Sequence, residues 1–348
     1  MITVGKPQNI MEWIALRANL IPTPMEVGAR ILTAKAVMLA SKLDVFEAAK
    51  DSPLTIEQIA QRTQLHPRGL GGLMNILTLH GYFRYKDGEF GLTRRSRKWC
   101  LKDSPDNVCN QLRYLDEIFW NEMNDLEGFL ETGKGLEVHD SYYTEEQWNW
   151  YQLGQYDLAK LAARSAPKMT PMPRNPAEML DIGGSHELYS VELCKKHPTL
   201  KATILDLPQA VDKARPILEK SNMGDRIDYW IGNALTDDFG ESRYDLILMS
   251  SLTHHFSSEQ NIAVSKKAAK ALTTGGYFVI QDWLRPEPSS RMEEAAIVMD
   301  MYFNLTSTTG TWTLNELKGF QEKAGLTHHK VSKFMEIPSL AQVCAKKE

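Results

Sequence analysis

The sequence predicts an α/β protein: a Rossmann-like sheet, parallel except for one antiparallel strand near its C-terminal end, preceded by a mainly α winged-helix segment. Three observations predict it. From residue 177 onward, short apolar runs alternate with helical stretches, the pattern of a parallel sheet covered on both faces. The first run ends in Asp181 and the glycine pair Gly183-Gly184, and the second ends in Asp206. The last two runs are separated only by Glu336-Ile-Pro-Ser339, too short for a crossover, so they must pair antiparallel.

Bulk properties set wide bounds. At 348 residues the chain has room for two domains with their own cores. A net charge of −4 gives no global electrostatic case for nucleic acid or an anionic membrane as partner. Cys100, Cys109, Cys194 and Cys344 form no CxxC pair, which favours free thiols in a reducing cytosol over disulfides or zinc. Glu12 and Arg17 interrupt the apolar stretch near the start, so no signal peptide is read there, and no uncharged apolar run has transmembrane length. The expectation is a cytoplasmic protein with no metal.

The elements follow in order. Apolar residues from Val27 to Phe46 recur at helical spacing. Thr55 with Gln58 makes a capping box, Leu65-His-Pro67 breaks the chain, and Arg68–His80 is helical until Gly81. A hairpin then turns at Asp87-Gly88, completing a winged helix over residues 1–104. Its second helix offers only Arg68 before a run of Gly, Leu and Met, a poor surface for phosphates or base edges. The cluster Arg94-Arg95-Ser-Arg97-Lys98 is read as a solvated or domain-contacting surface. The module is therefore expected to serve association.

Residues 105–170 are helical and rich in aromatics, including Phe119, Tyr142, Trp148 and Tyr151. Such a cluster fits helix packing or the lining of an apolar substrate pocket equally well. Pro167–Pro176, with four prolines, reads as a linker, and 171–348 is the sheet domain. Its strands are predicted at Met179–Ile182, Thr203–Leu207, Ile227–Ile231, Leu246–Met249, Tyr277–Gln281, His329–Phe334 and Ala341–Ala345.

In such a sheet, ligands bind beyond the C-terminal strand ends. A glycine turn followed 25 residues after Asp181 by Asp206 suits a nucleoside, with the acid on the ribose hydroxyls; a dinucleotide and S-adenosylmethionine are both compatible. The other strand ends carry Asn233, Ser250, the pair His254-His255, and Asp282. A His at a strand end beside a cofactor can act as a base, and Asp282 can orient it. The spacing does not say which His points inward. Glu316 is already accounted for by a capping box with Thr313.

These residues carry a resemblance. Asp181-x-Gly183-Gly184, Asp206-Leu-Pro208, Gly232-Asn233, Leu252-Thr-His254-His-Phe-Ser-Ser-Glu259, Gly275-Gly276 and Thr313-x-x-Glu316 make the chain similar to the class I S-adenosylmethionine-dependent O-methyltransferases of the plant caffeic-acid, hydroxyindole and bacterial natural-product type. The resemblance implies methyl transfer to a hydroxyl of a small molecule, a phenol or other natural product, and a homodimer formed through the N-terminal domain. It implies that His254 accepts the proton, that Asp282 and Glu316 flank it, and that Asp206 holds the cofactor ribose. Gly183, Asn233 and Ser250 join Asp206 as cofactor-side positions, although plant relatives carry Lys at the place of Ser250. Glu187 stands where the family has a third glycine; it could meet the cofactor ammonium, face outward at the helix start, or obstruct the methionine end. That departure keeps open a fold member turned to hydroxylation, decarboxylation or a pericyclic step, and beside it a winged-helix regulator or binding protein.

Overall fold

The computed structural model describes residues 10–18, 20, 24, 26–138, 143–287 and 293–348; Tyr142 lies outside them. They fall into two compact units, Met1–Phe119 and Trp120–Glu348, so the expected 105–170 connector is shared between the two.

The first unit contains helices α1 (Ile10–Arg17), α2 (Glu26–Lys42), α3 (Val45–Ala48), α4 (Ile56–Thr63) and α5 (Pro67–Leu79). Strands β1 (Phe83–Lys86) and β2 (Glu89–Leu92) follow, then α6 (Arg94–Trp99), α7 (Cys109–Tyr114) and a π-helical turn, Leu115–Phe119. The α2 run stops because Asp44 adopts a left-handed conformation, φ 57°. The capping box of Thr55 and Gln58 starts α4, and Pro67 stands in the first turn of α5. Strands β1 and β2 meet across Asp87-Gly88, both at positive φ as a type I′ turn requires. Phe46 stacks on Phe83 at 5.7 Å at the centre of this core. The basic cluster is engaged within the unit. Arg95 donates to the His80 carbonyl, Arg97 to the Lys50 carbonyl, and Lys98 pairs with Asp106.

The second unit begins with α8 (Trp120–Glu122), α9 (Leu126–Thr132), α10 (Glu145–Ala163) and α11 (Ala166–Met169). The sheet domain runs β3 (Glu178–Ile182), α12 (Leu188–Lys196), β4 (Lys201–Asp206), α13 (Pro208–Glu219), β5 (Ile227–Ile231), β6 (Tyr244–Ser250), α14 (Ser258–Ala271) and β7 (Leu272–Arg285). It closes with α15 (Glu294–Thr306), β8 (Trp312–Thr313), α16 (Leu314–Glu322), β9 (Thr327–Lys333) and β10 (Leu340–Lys346). Among the described residues the sheet has eight strands, ordered β5-β4-β3-β6-β7-β10-β9, with β8 beside the end of β7. Strands β3 to β7 pair in parallel, and β10 runs antiparallel between β7 and β9, as the short Glu336–Ser339 connection demands.

Alternation along each strand builds two cores. Met179, Ile204 and Leu248 face α10, α12 and α13, while Leu180, Leu205 and Ile247 face α14 and α16. Two expectations need correction. The Pro167–Pro176 stretch is not a plain linker, because Ala166, Pro167 and Thr170 are buried and α11 packs on α12. Strand β7 is far longer than Tyr277–Gln281: β10 and β8 supply partners for its extension to Arg285, and Tyr244 of β6 pairs with Leu272 at its start. Among the described residues no helix is long and apolar enough to cross a membrane, and no group of three His, Cys, Asp or Glu could hold a metal ion.

Leu180 is fully buried in the sheet core, whereas Leu130 is 68% exposed. Leu180→Ala should cost about 2–5 kcal/mol of unfolding free energy, and Leu130→Ala less than about 0.5 kcal/mol, as measured by denaturant titration.

Candidate cofactor and acceptor site

The chain order reverses between β3 and β6, and the side chains of interest gather at the C-terminal ends of the strands around that point. Gly183, at φ 70°, sends its N–H to the Leu205 carbonyl at 2.8 Å, tying the turn to β4. Gly184 has no room for a side chain: a Cβ there would lie 2.5 Å from Cγ of Asp181. Asp181 is buried and accepts the Ser190 hydroxyl at 2.6 Å, and burial pushes its carboxyl up to about 7. The Asp206 carboxylate accepts the backbone N–H of Ser185 at 2.9 Å and of Leu207 at 2.8 Å, one on each oxygen. Burial raises it to about 6, and those two N–H groups oppose the rise. Each oxygen retains a lone pair, so Asp206 can still accept two hydroxyls from a ligand.

Glu187 is 1% exposed and sits at φ 55°, immediately before α12. It does not face outward. The Tyr229 hydroxyl lies 3.2 Å from Glu187 Oε2 and 3.0 Å from the Ser185 carbonyl. A phenol has one proton, so both contacts are satisfied when Glu187 keeps its own proton and donates it to the Tyr229 oxygen. Burial acts the same way, pushing the Glu187 carboxyl up to about 9. The side chain turns to β5 and does not line the cavity described below.

The second cluster forms around Asp282. Its Oδ2 accepts the Thr253 N–H at 3.0 Å and the Thr253 hydroxyl at 2.5 Å. Its Oδ1 accepts the Trp283 N–H at 2.9 Å and stands 3.1 Å from Nδ1 of His254. Both residues are buried, and the Phe303 ring stacks on the imidazole with centroids 3.7 Å apart. The backbone around the ring is also pinned, since the His254 carbonyl accepts the Thr309 N–H and hydroxyl. Glu316 is not brought to this cluster. Its carboxylate pairs with Arg285 at 2.9 Å and accepts the Thr313 N–H at 2.7 Å, completing the capping box.

A cavity of about 300 Å³ opens beside the glycine turn. Gly183, Ser185, Asp206 and Asn233 line one side, and Trp148, Tyr151 and Gln152 of α10 line another. Phe119 is not among the lining residues and belongs to the first unit. His255 rather than His254 reaches the cavity wall. Ser250 accepts from Gln281 at 3.0 Å and lines a smaller neighbouring cavity that shares Tyr151, Gly183, Ser185 and Ser251 with the larger one. Asn233 steadies its own turn, its side-chain oxygen accepting the Leu235 N–H at 2.8 Å.

Sequence reasoning passed over Gln152, Ser185 and Tyr229. Gln152 Nε2 donates to the Ser185 hydroxyl at 2.7 Å, while its Oε1 is buried on the cavity wall with no partner. The available signal was a polar residue among the aromatics of α10.

A mostly parallel sheet with one antiparallel strand near its end, a glycine cradle after its first strand and an acid after its second define a class I methyltransferase fold. A family model for the O-methyltransferase domain matches residues 112–327, and one for the O-methyltransferase dimerisation domain matches 26–102. The chain belongs to the O-methyltransferase family, whose members transfer the methyl group of S-adenosylmethionine. It is 23% identical over 284 residues to a 3-hydroxy-5-methyl-1-naphthoate 3-O-methyltransferase of Streptomyces sahachiroi, covering 79% of each chain. It is 24% identical over 261 residues to an L-tyrosine C(3)-methyltransferase of Streptomyces lavendulae, covering 69% of each. Human N-acetylserotonin methyltransferase, solved in complex with S-adenosylmethionine, superposes with TM-score 0.84 at 16% identity and 99% coverage of both chains.

Glu187 yields a pH prediction. Its folded value of about 9 stands above the ordinary 4.5, so the stability from its neutral form is complete at low pH and is lost as pH rises toward 9. Glu187→Gln should remove that decline, which approaches about 1.4 kcal/mol per pH unit, in unfolding titrations between about pH 5 and 9.

Proposed function

We propose that the protein uses S-adenosylmethionine to methylate a hydroxyl on a flat, apolar small molecule, with His254 as the base. The observation that carries this reading is the pairing of His254 Nδ1 with the buried Asp282 carboxylate, next to a glycine cradle and a ribose-type acid. The turn fits the cofactor: Gly183 presents bare backbone on the cavity wall, and Gln152 Oε1 waits there for a donor. Asp206 would hold the ribose hydroxyls, with Gly183, Asn233 and Ser250 around the nucleoside and the methionine end. Bound S-adenosylmethionine supplies an electrophilic methyl on a sulfonium centre.

The remaining chemistry belongs to this chain. Alignment of the acceptor oxygen is the larger effect, worth about 7–11 kcal/mol in favourable cases. A phenol of pKa near ~10 is mostly protonated at neutral pH, so a base contributes further. With Asp282 accepting from Nδ1–H, the Nε2 atom of His254 keeps its lone pair for the acceptor proton, and the carboxylate then stabilises the imidazolium. Glu316 acts on this arrangement only through Arg285 and the start of α16. Trp148 and Tyr151 supply aromatic wall area for the acceptor.

The first unit is read as a winged helix used for homodimerisation. Ile10, Met11, Trp13 and Ile14 on α1 and Val27, Ile31 and Leu32 on α2 leave an apolar surface exposed, which a second copy would cover. Arg95, Arg97 and Lys98 are engaged inside the unit, which favours association over a phosphate track. A cytoplasmic enzyme of natural-product metabolism is the setting this reading implies.

The decisive experiment screens hydroxylated aromatic and polyketide acceptors with methyl-labelled S-adenosylmethionine; absence of transfer to any oxygen, with the cofactor bound, would refute the reading. His254→Ala should leave S-adenosylhomocysteine affinity unchanged and cut turnover about 10²–10⁴-fold. His255→Ala, measured in parallel, should retain turnover, and the reverse pattern would move the role to His255. Asp206→Ala should instead weaken calorimetric binding of S-adenosylhomocysteine by about 1.5–3 kcal/mol per hydrogen bond lost.

A further inference from the structure

Glu122 is a buried carboxylate that the reaction as read above does not use. It is 1% exposed, at the end of α8, and it joins two distant parts of the second unit. The Tyr143 hydroxyl donates to its Oε1 at 2.6 Å, and the Tyr302 hydroxyl donates to its Oε2 at 2.8 Å. Burial pushes this carboxyl up, and the two phenol hydroxyls work against that rise. A buried acid is costly, and this one is tolerated because a phenol hydroxyl occupies each of its oxygens. Those two hydrogen bonds fix the geometry of everything attached to the two tyrosines.

Both partners lead to the reacting region. Tyr302 precedes Phe303 on α15, and Phe303 is the ring stacked on His254 at 3.7 Å with an interplanar angle of 23°. Tyr143 packs 5.8 Å from Trp148 and 5.7 Å from Tyr151, the two aromatic residues on the cavity wall. One carboxylate thus sets the helix that covers the base and the wall that would meet the acceptor.

We propose that Glu122 is a positioning residue for methyl transfer: through Tyr302 it keeps Phe303 packed on the His254 imidazole, and through Tyr143 it steadies the aromatic face offered to the acceptor. This rests on the reading of His254 as the base. Glu122 lines neither cavity, so its removal acts through Tyr302 and Tyr143, on the base and the aromatic wall and not on the Asp206 contacts. Glutamine can replace it, since an amide accepts from one tyrosine and donates to the other.

The test combines kinetics with a signal that needs no acceptor. Phe303 shields the His254 ring protons, so in protein labelled with ring-carbon-13 histidine one imidazole signal should lie upfield and vanish in His254→Ala. Glu122→Ala should return that signal to an ordinary shift, while Glu122→Gln keeps it upfield. With hydroxynaphthoate as acceptor, Glu122→Ala should lower kcat/KM roughly 10- to 100-fold, as misplacement by about an ångström does, with S-adenosylhomocysteine affinity unchanged. Glu122→Gln should recover most of that loss. If Glu122→Ala does not fold, Tyr302→Phe removes one hydroxyl and should shift the same signal. An upfield signal and wild-type kcat/KM in Glu122→Ala would overturn the proposal, as would a parallel loss of S-adenosylhomocysteine affinity. A wild-type protein that binds the cofactor yet methylates nothing, with the signal still dependent on Glu122, would defeat the functional reading and leave the coupling standing.

Discussion

Asp282 is the group on which the site depends. Its two oxygens take the Thr253 N–H and hydroxyl, the Trp283 N–H and the Nδ1 edge of His254. A carboxylate buried this far is tolerated only when its lone pairs are occupied, and here all the contacts come from backbone or from neighbouring residues. They fix the turn after β6 and the imidazole orientation together. The arrangement is possible because β7 continues past the end of β6, carried by pairing with β10 and β8. Ser250 of β6 pairs with Gln281, so Asp282 stands one residue beyond its neighbour's last rung and over the turn.

The cofactor side uses carboxyl groups differently. Asp206 spends one lone pair of each oxygen on the Ser185 and Leu207 N–H groups, and so shapes the turn it also serves. Asp181 closes the floor below Gly184 and anchors Ser190 of α12. Glu187 supports the same turn from behind through Tyr229. Burial raises all three, and Asp206 least, because the Ser185 and Leu207 N–H groups oppose the rise.

Much of the fold was legible in the residues. Strand positions, the hairpin at Asp87-Gly88 and the capping boxes at Thr55 and Thr313 follow from local chemistry. The box at Thr144 and Gln147 went unread because the aromatic density of the segment drew the reading toward packing. The C-terminal extension of β7 was not legible, since it depends on partners that arrive 28 and more residues later.

For the site, the sequence alone determined the residue types and their strand-end placement: the glycine cradle, Asp206, the His pair and Asp282. Local spacing reaches that far because a parallel sheet aligns its C-terminal ends. Tertiary structure decided everything that depends on a second element's position. It placed His254 rather than His255 on Asp282, turned Glu187 inward to Tyr229, assigned Glu316 to Arg285 and joined Glu122 to Tyr143 and Tyr302. Such choices follow from which buried polar atoms can satisfy one another, and that is settled only when distant segments pack.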